Sequence, residues 1–223
     1  MKKELLLSKL QGFDPEIFAL LQDEIQRQRY MLSLVPNNNA MSPFAHYLEG
    51  SLLANSAFDA QNPNANSTNL EEIAIKRAKK LFGSEHAIVR LGNIGAASRV
   101  VCLALLQPNS RVLSFNLRKA EHCSGLSFTF KNFGIDAKKQ VLDWDEVEQT
   151  ADETKPHLII FSPVSYPRNA NYRRLSEIAR NVGAYLWVDI GQSVGLVAAG
   201  LLPSPVPFAD VVTFPTNDSL HGP

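Results

Sequence analysis

The sequence predicts an α/β protein in which a mostly parallel β-sheet is flanked by helices. Two observations favour this fold class. From residue 70 onward, segments with helical periodicity alternate with short segments typical of strands. The strand segments contain continuous apolar runs, such as LIIF at residues 158–161 and YLWV at residues 185–188, which is typical of strands that are covered on both faces.

The N-terminal part is predicted to contain one helix and two polar loops. Residues 14–16, Asp-Pro-Glu, combine a capping side chain, a proline suited to the first helical position and a carboxylate near the positive helix end. Apolar residues then recur at helical spacing to about residue 30. Residues 36–39 and 60–69 are rich in turn-forming residues and are predicted to be loops. We therefore predict an N-terminal arm over residues 1–69 and an α/β domain over residues 70–223.

The elements of the α/β domain are predicted from apolar runs and from the residues that end helices. Helices are predicted over residues 70–82, 95–106 and 171–182, which end before Gly83, Pro108 and Gly183. Strands are predicted over residues 86–90, 111–116, 139–142, 157–162, 185–190 and 210–214. Ligands of such sheets bind beyond the carboxyl ends of the strands, so the junctions after these strands are the candidate site.

Composition and charge exclude several functions. The 223 residues include 22 basic and 22 acidic side chains, so no net charge attracts nucleic acid or anionic lipid. No segment approaches 18 uncharged apolar residues and no signal-peptide cleavage site is visible, which predicts a soluble cytoplasmic protein without a membrane partner. The two cysteines, Cys102 and Cys123, lack CxxC spacing, so neither a disulfide framework nor a metal site is predicted.

Three junctions could hold a cofactor, and each also has a structural interpretation. Residues 92–98, a glycine-containing turn before a helix, could bind phosphate through free amides or simply cap the helix. Asp189, at the end of a strand, could pair with a protonated ring nitrogen or form a turn. His122 could stack on a flat ring or lie on the surface.

Several segments resemble the serine hydroxymethyltransferase family. Residues 70–83, LEEIAIKRAKKLFG, are similar to a segment of that family. Further similar segments are ALLQP at 104–108, NFGID at 132–136, GAYLWVD at 183–189, VGLVAAG at 194–200 and PSPVP at 203–207. The similarity extends from about residue 14 to residue 223 in a consistent order, which makes it specific.

The resemblance implies a fold, a cofactor and an assembly. Members of this family use pyridoxal phosphate to interconvert serine and glycine with folate. They have the large domain of fold-type I enzymes with a seven-stranded sheet, a smaller C-terminal domain, and dimers with active sites at the subunit interface. Compared with that pattern, this chain is expected to lack the small domain and the arginine there that binds the substrate carboxylate. A naturally short chain and a fragment both remain open.

On the cofactor side, this sequence matches the family pattern at two residues and differs from it at others. Asp189 matches the aspartate that pairs with the pyridine nitrogen, and His122 matches the histidine that stacks on the ring. The departures are Asn93, Ile94 and Gly95 in place of a Ser-Gly-Ser phosphate loop, Gln192 in place of a histidine, and Val164 in place of a serine. Cofactor binding is therefore expected to be weakened.

On the substrate side, the departures remove reactive groups. The family's Ala-Ser-Glu-Asn is Pro-Asn-Asn-Asn at residues 36–39, and its tyrosine and glutamate loop is replaced by a shorter segment at 57–64, in which Asp59 is of doubtful equivalence. The family's Thr-His-Lys-Thr is Thr-Asn-Asp-Ser at residues 216–219. Asp218 therefore stands at the position of the Schiff-base lysine and Asn217 at that of the preceding histidine.

These departures predict a serine hydroxymethyltransferase-like protein without catalytic residues. A carboxylate cannot form an imine, and no lysine follows Lys155. We expect no bound cofactor, and a binding, regulatory or assembly role as a homodimer or as a heteromer with an intact relative. The alternative is a pyridoxal-phosphate-binding enzyme of serine and glycine one-carbon metabolism that holds its cofactor non-covalently or uses a complementing subunit. A third possibility is a neutral ligand bound by a polar set of residues: Asn37, Asn93, His122, Asp189, Gln192, Asn217 and Asp218.

Overall fold

The computed structural model describes residues 3–35, 38–55, 66–115, 128–164 and 166–223. The chain divides into two compact units, residues 1–38 and 39–223. The boundary predicted at residue 69 stays a prediction.

The first unit contains two helices, α1 (Lys3–Phe13) and α2 (Pro15–Tyr30). Asp14 caps α2, because its Oδ1 atom accepts a hydrogen bond from the backbone N–H of Ile17 at 3.0 Å. The predicted start and end of this helix are therefore confirmed. No residue of α2 is buried.

The second unit contains helices on both sides of a sheet. The helices of this unit are α3 (Pro43–Glu49), α4 (Asn66–Phe82), α5 (Ile94–Leu105), α6 (Trp144–Thr154), α7 (Tyr172–Val182) and α8 (Val194–Ala198). Single turns of 3₁₀-helix lie at Leu52–Asn55 and Gly191–Ser193. The predicted C-terminal ends of α4 and α7 are confirmed, since Gly83 and Gly183 follow them with positive φ angles of 68° and 73°.

Five parallel strands form the sheet in the described part of the chain, and this confirms the predicted fold class. They are β1 (Arg111–Phe115), β2 (Thr129–Phe133), β3 (Leu158–Phe161), β4 (Tyr185–Asp189) and β5 (Val211–Thr213). Their spatial order is β2-β1-β3-β4-β5. The register of the last pair places Asp189 beside Thr213.

The core lies on both faces of this sheet, because successive residues of a strand point to opposite faces. Leu113, Ile159 and Leu186 pack in one cluster with buried residues of α6, α7 and α8. The adjacent strand positions, Val112, Leu158 and Trp187, pack in the second cluster with buried residues of α5. Strands that are apolar at every position are therefore explained by helices on both sides, as the sequence predicts.

Two predicted strands are absent, and one strand was not predicted. Residues 86–90 form no ladder with any described strand. Residues 139–142 follow a turn in which Asp136 Oδ1 accepts the backbone N–H groups of Lys138 and Lys139 at 2.8 and 2.9 Å, and only an isolated bridge joins Leu142 to Ile135. Instead β2 pairs with β1, although its mixed sequence, TFKNF, lacks the apolar run of a central strand.

Other local predictions also need correction. Residues 66–69, which belong to the loop predicted over residues 60–69, form the first turn of α4. Helices α1, α3, α6 and α8 were not predicted. The resemblance implies seven strands, whereas the described residues form five. Cys102 is buried and disulfide-bonded, whereas no disulfide framework was predicted.

Candidate functional site

The carboxyl edge of the sheet is the candidate site, for a topological reason. From β1 the chain crosses to β2 on one side, and from β2 it returns to β3 on the other side of β1. Parallel sheets bind ligands beyond the carboxyl ends of the strands, near such a reversal of strand order. Three polar side chains occur at the ends of successive strands along this edge. They are Ser162 after β3, Asp189 at the end of β4 and Asp218 in the turn after β5.

Asp189 is buried at the end of β4, with 6% of its surface exposed. Its Oδ1 atom accepts the backbone N–H of Gly191 at 2.9 Å. The turn is tight, because a Cβ atom on Gly191 would lie 3.3 Å from that oxygen and 3.1 Å from Pro215 Cδ. The carboxylate is therefore held at the edge of the sheet by the backbone that leaves the strand.

Asp218 is also buried, with 5% of its surface exposed, and its Oδ1 atom has no hydrogen-bond partner among the described residues. Its backbone carbonyl oxygen accepts a hydrogen bond from Asn39 Nδ2. Burial raises the pKa of Asp218 above its ordinary value, because desolvation disfavours the charged carboxylate. Thr216 and Asn217, by contrast, are exposed.

Hydrogen bonds from distant segments fix the turn formed by residues 216–219 and the residues after it. Ser219 Oγ accepts the backbone N–H of Gly195 at 2.8 Å. His221 accepts the backbone N–H of Ser42 through its carbonyl oxygen at 2.9 Å, and its Nδ1 atom lies 2.7 Å from the carbonyl oxygen of Ala40. The turn is therefore held between α8 and residues 39–42.

Sequence reasoning did not identify these contacts as part of the site. The signal for Asn39 was present, since it belongs to the polar run at residues 36–39 that the resemblance associates with the substrate side. Gly195 belongs to the VGLVAAG segment. A Cβ atom on Gly195 would lie 2.7 Å from Ser219 Cβ and 2.8 Å from its carbonyl oxygen, so only glycine permits this close approach.

The predicted phosphate loop has the geometry of a helix cap. Asn93 is exposed, and its Oδ1 atom accepts the backbone N–H of Ala96 at 2.8 Å at the start of α5. Ile94 and Gly95 are the first two residues of that helix. Of the two interpretations of residues 92–98, the structure shows the cap, and a role in phosphate binding stays a prediction.

The remaining predicted site residues are placed as follows. Gln192 is exposed in the turn Gly191–Ser193, and Val164 is exposed after β3. Asn37, Asp59 and His122 lie outside the described residues. The structure thus places Asp189 and Asp218 at one edge of the sheet.

The described ranges contain neither a metal-binding cluster nor a membrane-spanning helix. No cluster of three or more histidine, cysteine, aspartate or glutamate side chains is arranged there to hold a metal ion. None of the helices in the same ranges combines the length and the apolar character needed to cross a bilayer.

This is an α/β protein with a parallel sheet and buried carboxylates at the carboxyl edge of that sheet. Comparison with known proteins identifies its family. The model of the serine hydroxymethyltransferase family matches residues 10–223. The chain is 40% identical over 225 aligned positions to the serine hydroxymethyltransferase of Coprothermobacter proteolyticus, and the alignment covers 94% of this chain and 54% of that protein. This chain belongs to the serine hydroxymethyltransferase family. It spans about half the length of this relative.

The residues after β5 do not fit the aldehyde cofactor that the family implies. Covalent attachment of an aldehyde needs an amine, whereas this turn contains the buried carboxylate of Asp218. The last lysine in the sequence is Lys155, whose Nζ atom lies 3.0 Å from Asp152 Oδ1 at the end of α6. No amine of the described segment that follows β5 is therefore available for such an attachment.

Proposed function

We propose that this chain is a catalytically inactive member of its family that acts as a binding, regulatory or assembly partner. The observation that carries the proposal is the buried carboxylate of Asp218 in the turn after β5, whose Oδ1 atom lacks a hydrogen-bond partner among the described residues. The resemblance places the Schiff-base lysine at this position. Because a carboxylate has no nucleophilic nitrogen, it cannot form an imine with an aldehyde.

The electrostatics of the edge support the same proposal. Asp189 and Asp218 are both buried there, and an anionic cofactor would bring a phosphate and a phenolate to the same edge. Like charges repel most strongly where water is excluded. The family's phosphate loop would oppose this repulsion with hydroxyl donors, whereas the corresponding residues here are Asn93, Ile94 and Gly95.

A partner role is supported by apolar surface. In the second unit, large side chains that are more than two-thirds exposed include Phe44, Tyr47, Leu52 and Leu201. Exposed apolar groups of this size are often covered by another protein chain when they are contiguous. In the described part of the sheet β5 pairs only with β4, so its other edge also offers backbone groups to a partner.

The test of inactivity is covalent trapping. The purified chain is incubated with pyridoxal phosphate, reduced with borohydride and analysed by mass spectrometry for a modified lysine. We expect no modification at a specific lysine and no absorbance change when glycine is added. The variant Asp218→Lys is expected to be modified at residue 218, with Asn217→Lys as the control at the exposed neighbouring position. A single stoichiometric adduct on the unmodified sequence would contradict the proposal.

The test of assembly is the mass of the particle in solution. Size-exclusion chromatography with light scattering is performed on the chain alone and mixed with an intact relative, the enzyme of Coprothermobacter proteolyticus. A dimer, or a complex with the relative, is the expected result. A stable monomer that ignores the relative would refute the assembly role.

A second candidate function is an enzyme that binds pyridoxal phosphate without a covalent link. The position of Asp189 favours it, since a buried carboxylate at the end of β4 is suited to pair with a protonated ring nitrogen. Calorimetric titration with pyridoxal phosphate separates the two candidates. Saturable binding that Asp189→Asn weakens would favour this second function, and no detectable binding would eliminate it.

A further inference from the structure

Two buried side-chain atoms in the described part of the chain lack hydrogen-bond partners, and both belong to residues at the carboxyl edge of the sheet. They are Ser162 Oγ, directly after β3, and Asp218 Oδ1, after β5. Buried polar atoms are nearly always paired, because an unpaired one costs about 1–3 kcal/mol and a charged one costs more. Their common location, where sheets of this type bind ligands, indicates that a ligand supplies the missing partners.

The chemistry of Asp218 defines the kind of group that is missing. An ionised carboxylate only accepts hydrogen bonds, so its partner is a donor, and a cationic donor forms the strongest bond. The sequence contains no lysine or arginine after Arg180. His221 is the basic residue closest in sequence, and its Nδ1 atom lies 2.7 Å from the carbonyl oxygen of Ala40. No ion pair in the described ranges includes Asp218.

We propose that Asp218 binds a small molecule through a primary ammonium group of that molecule. An ammonium group offers three N–H donors and a positive charge, which match an unpaired carboxylate oxygen. The residues that precede Asp218 in the same turn, Thr216 and Asn217, are exposed. The buried carboxylate of Asp189 at the same edge adds negative charge that favours a cation.

We assign Ser162 to a second polar group of the same ligand. Its Oγ atom is the other buried atom without a partner, and it lies directly after β3, whereas Asp218 lies in the turn after β5, with β4 between these two strands. A hydroxyl both donates and accepts hydrogen bonds, so it can pair with either a donor or an acceptor of the ligand.

The test uses ethylammonium chloride as the probe, and tetramethylammonium chloride and sodium chloride as controls at equal ionic strength. Tetramethylammonium has the same charge but no N–H donor. We expect a saturable increase in the melting temperature with ethylammonium alone. Asp218→Asn should raise the dissociation constant for ethylammonium at least about tenfold, because a charge-assisted hydrogen bond is lost.

A matched variant controls for non-specific effects of the probe. Asp23→Asn makes the same change at an exposed carboxylate of α2 and should leave the ethylammonium response unchanged. Line broadening of ¹⁵N-labelled ethylammonium by the unmodified protein gives a second measurement that does not depend on the folding of a variant. Equal responses to the three salts, an unchanged response in Asp218→Asn, or no saturable response would each overturn the proposal.

This inference is independent of the proposed partner role. Light scattering on the same samples reports assembly, whereas the ethylammonium response reports the site at Asp218. A monomer that binds ethylammonium would refute the assembly role alone. An assembled protein that does not respond would refute only the ammonium site.

Discussion

Replacing Asp218 by asparagine should stabilise the folded protein at neutral pH. The side chain is buried, and its Oδ1 atom has no partner among the described residues, so the folded state bears the cost of a buried charge that is not fully hydrogen-bonded. Asparagine has nearly the same shape but no charge. Its own oxygen would remain unpaired, so only part of the cost is recovered. We expect a gain of about 1 kcal/mol in the free energy of unfolding, the lower end of the range for an unsatisfied buried group.

The gain should depend on pH in a direction that the pKa shift determines. Burial raises the pKa of Asp218 in the folded state above the ordinary value of 3.8, so in the interval between these two values the folded state binds more protons than the unfolded state. The stability contributed by this group is therefore fully present below the unfolded pKa and is lost as pH rises through the folded pKa. The advantage of Asp218→Asn should be complete above that interval and should vanish below it.

The assay is urea unfolding followed by tryptophan fluorescence across a series of pH values. Trp187 is fully buried in the core and reports the transition. Asp23→Asn, at an exposed position, is the control and should change little. A variant at Asp218 that is no more stable than the unmodified protein at neutral pH would refute the reasoning. A gain that persists unchanged in acid would show that the charge is not its cause.

Two further predictions concern the contacts that hold the edge of the sheet. Gly195→Ala should destabilise the protein by about 1–3 kcal/mol, because its Cβ atom would lie 2.7 Å from Ser219 Cβ. Gly92→Ala is the control, because a Cβ atom at that position would have no other atom within 4 Å. Equal melting temperatures for the two variants would contradict the described contact. Thr213→Val should cost about 1–2 kcal/mol in thermal unfolding, because Trp187 Nε1 donates a buried hydrogen bond to Thr213 Oγ1 at 2.8 Å, and Thr213→Ser should retain most of the stability. If Thr213→Ser lost as much stability as Thr213→Val, the loss would not be explained by the hydrogen bond, and the methyl group of Thr213 would be its cause.

The sequence was sufficient to predict the elements whose signals are local. Asp14 and Pro15 marked the start of α2, and Gly183 marked the end of α7. The apolar runs that became β3 and β4 were correctly assigned, because a strand buried on both faces is apolar at every position. Because Asp189 directly follows the apolar run of β4, its position at the carboxyl end of that strand was also predictable.

Strand pairing was not predictable, because it depends on neighbours that are distant in sequence. Residues 86–90 have the composition of a strand but pair with no described strand, whereas β2 contains Lys131 and Asn132 and becomes a strand through its ladder with β1. On an outer strand one side is free of a neighbour and polar side chains are tolerated. Composition alone therefore fails at the edges of a sheet.

The sequence by itself determined which chemical groups are available at the candidate site: a carboxylate at the position where the resemblance places the family's lysine, and no lysine after Lys155. The tertiary structure decided the environment of that carboxylate. Asn39 and Asp218 are 179 positions apart, and their contact exists only because the second unit brings residues 39–42 to the turn after β5. The burial of an oxygen atom and its hydrogen bonding depend on atoms from segments that are distant in sequence. Both properties of Asp218 therefore arise only on folding.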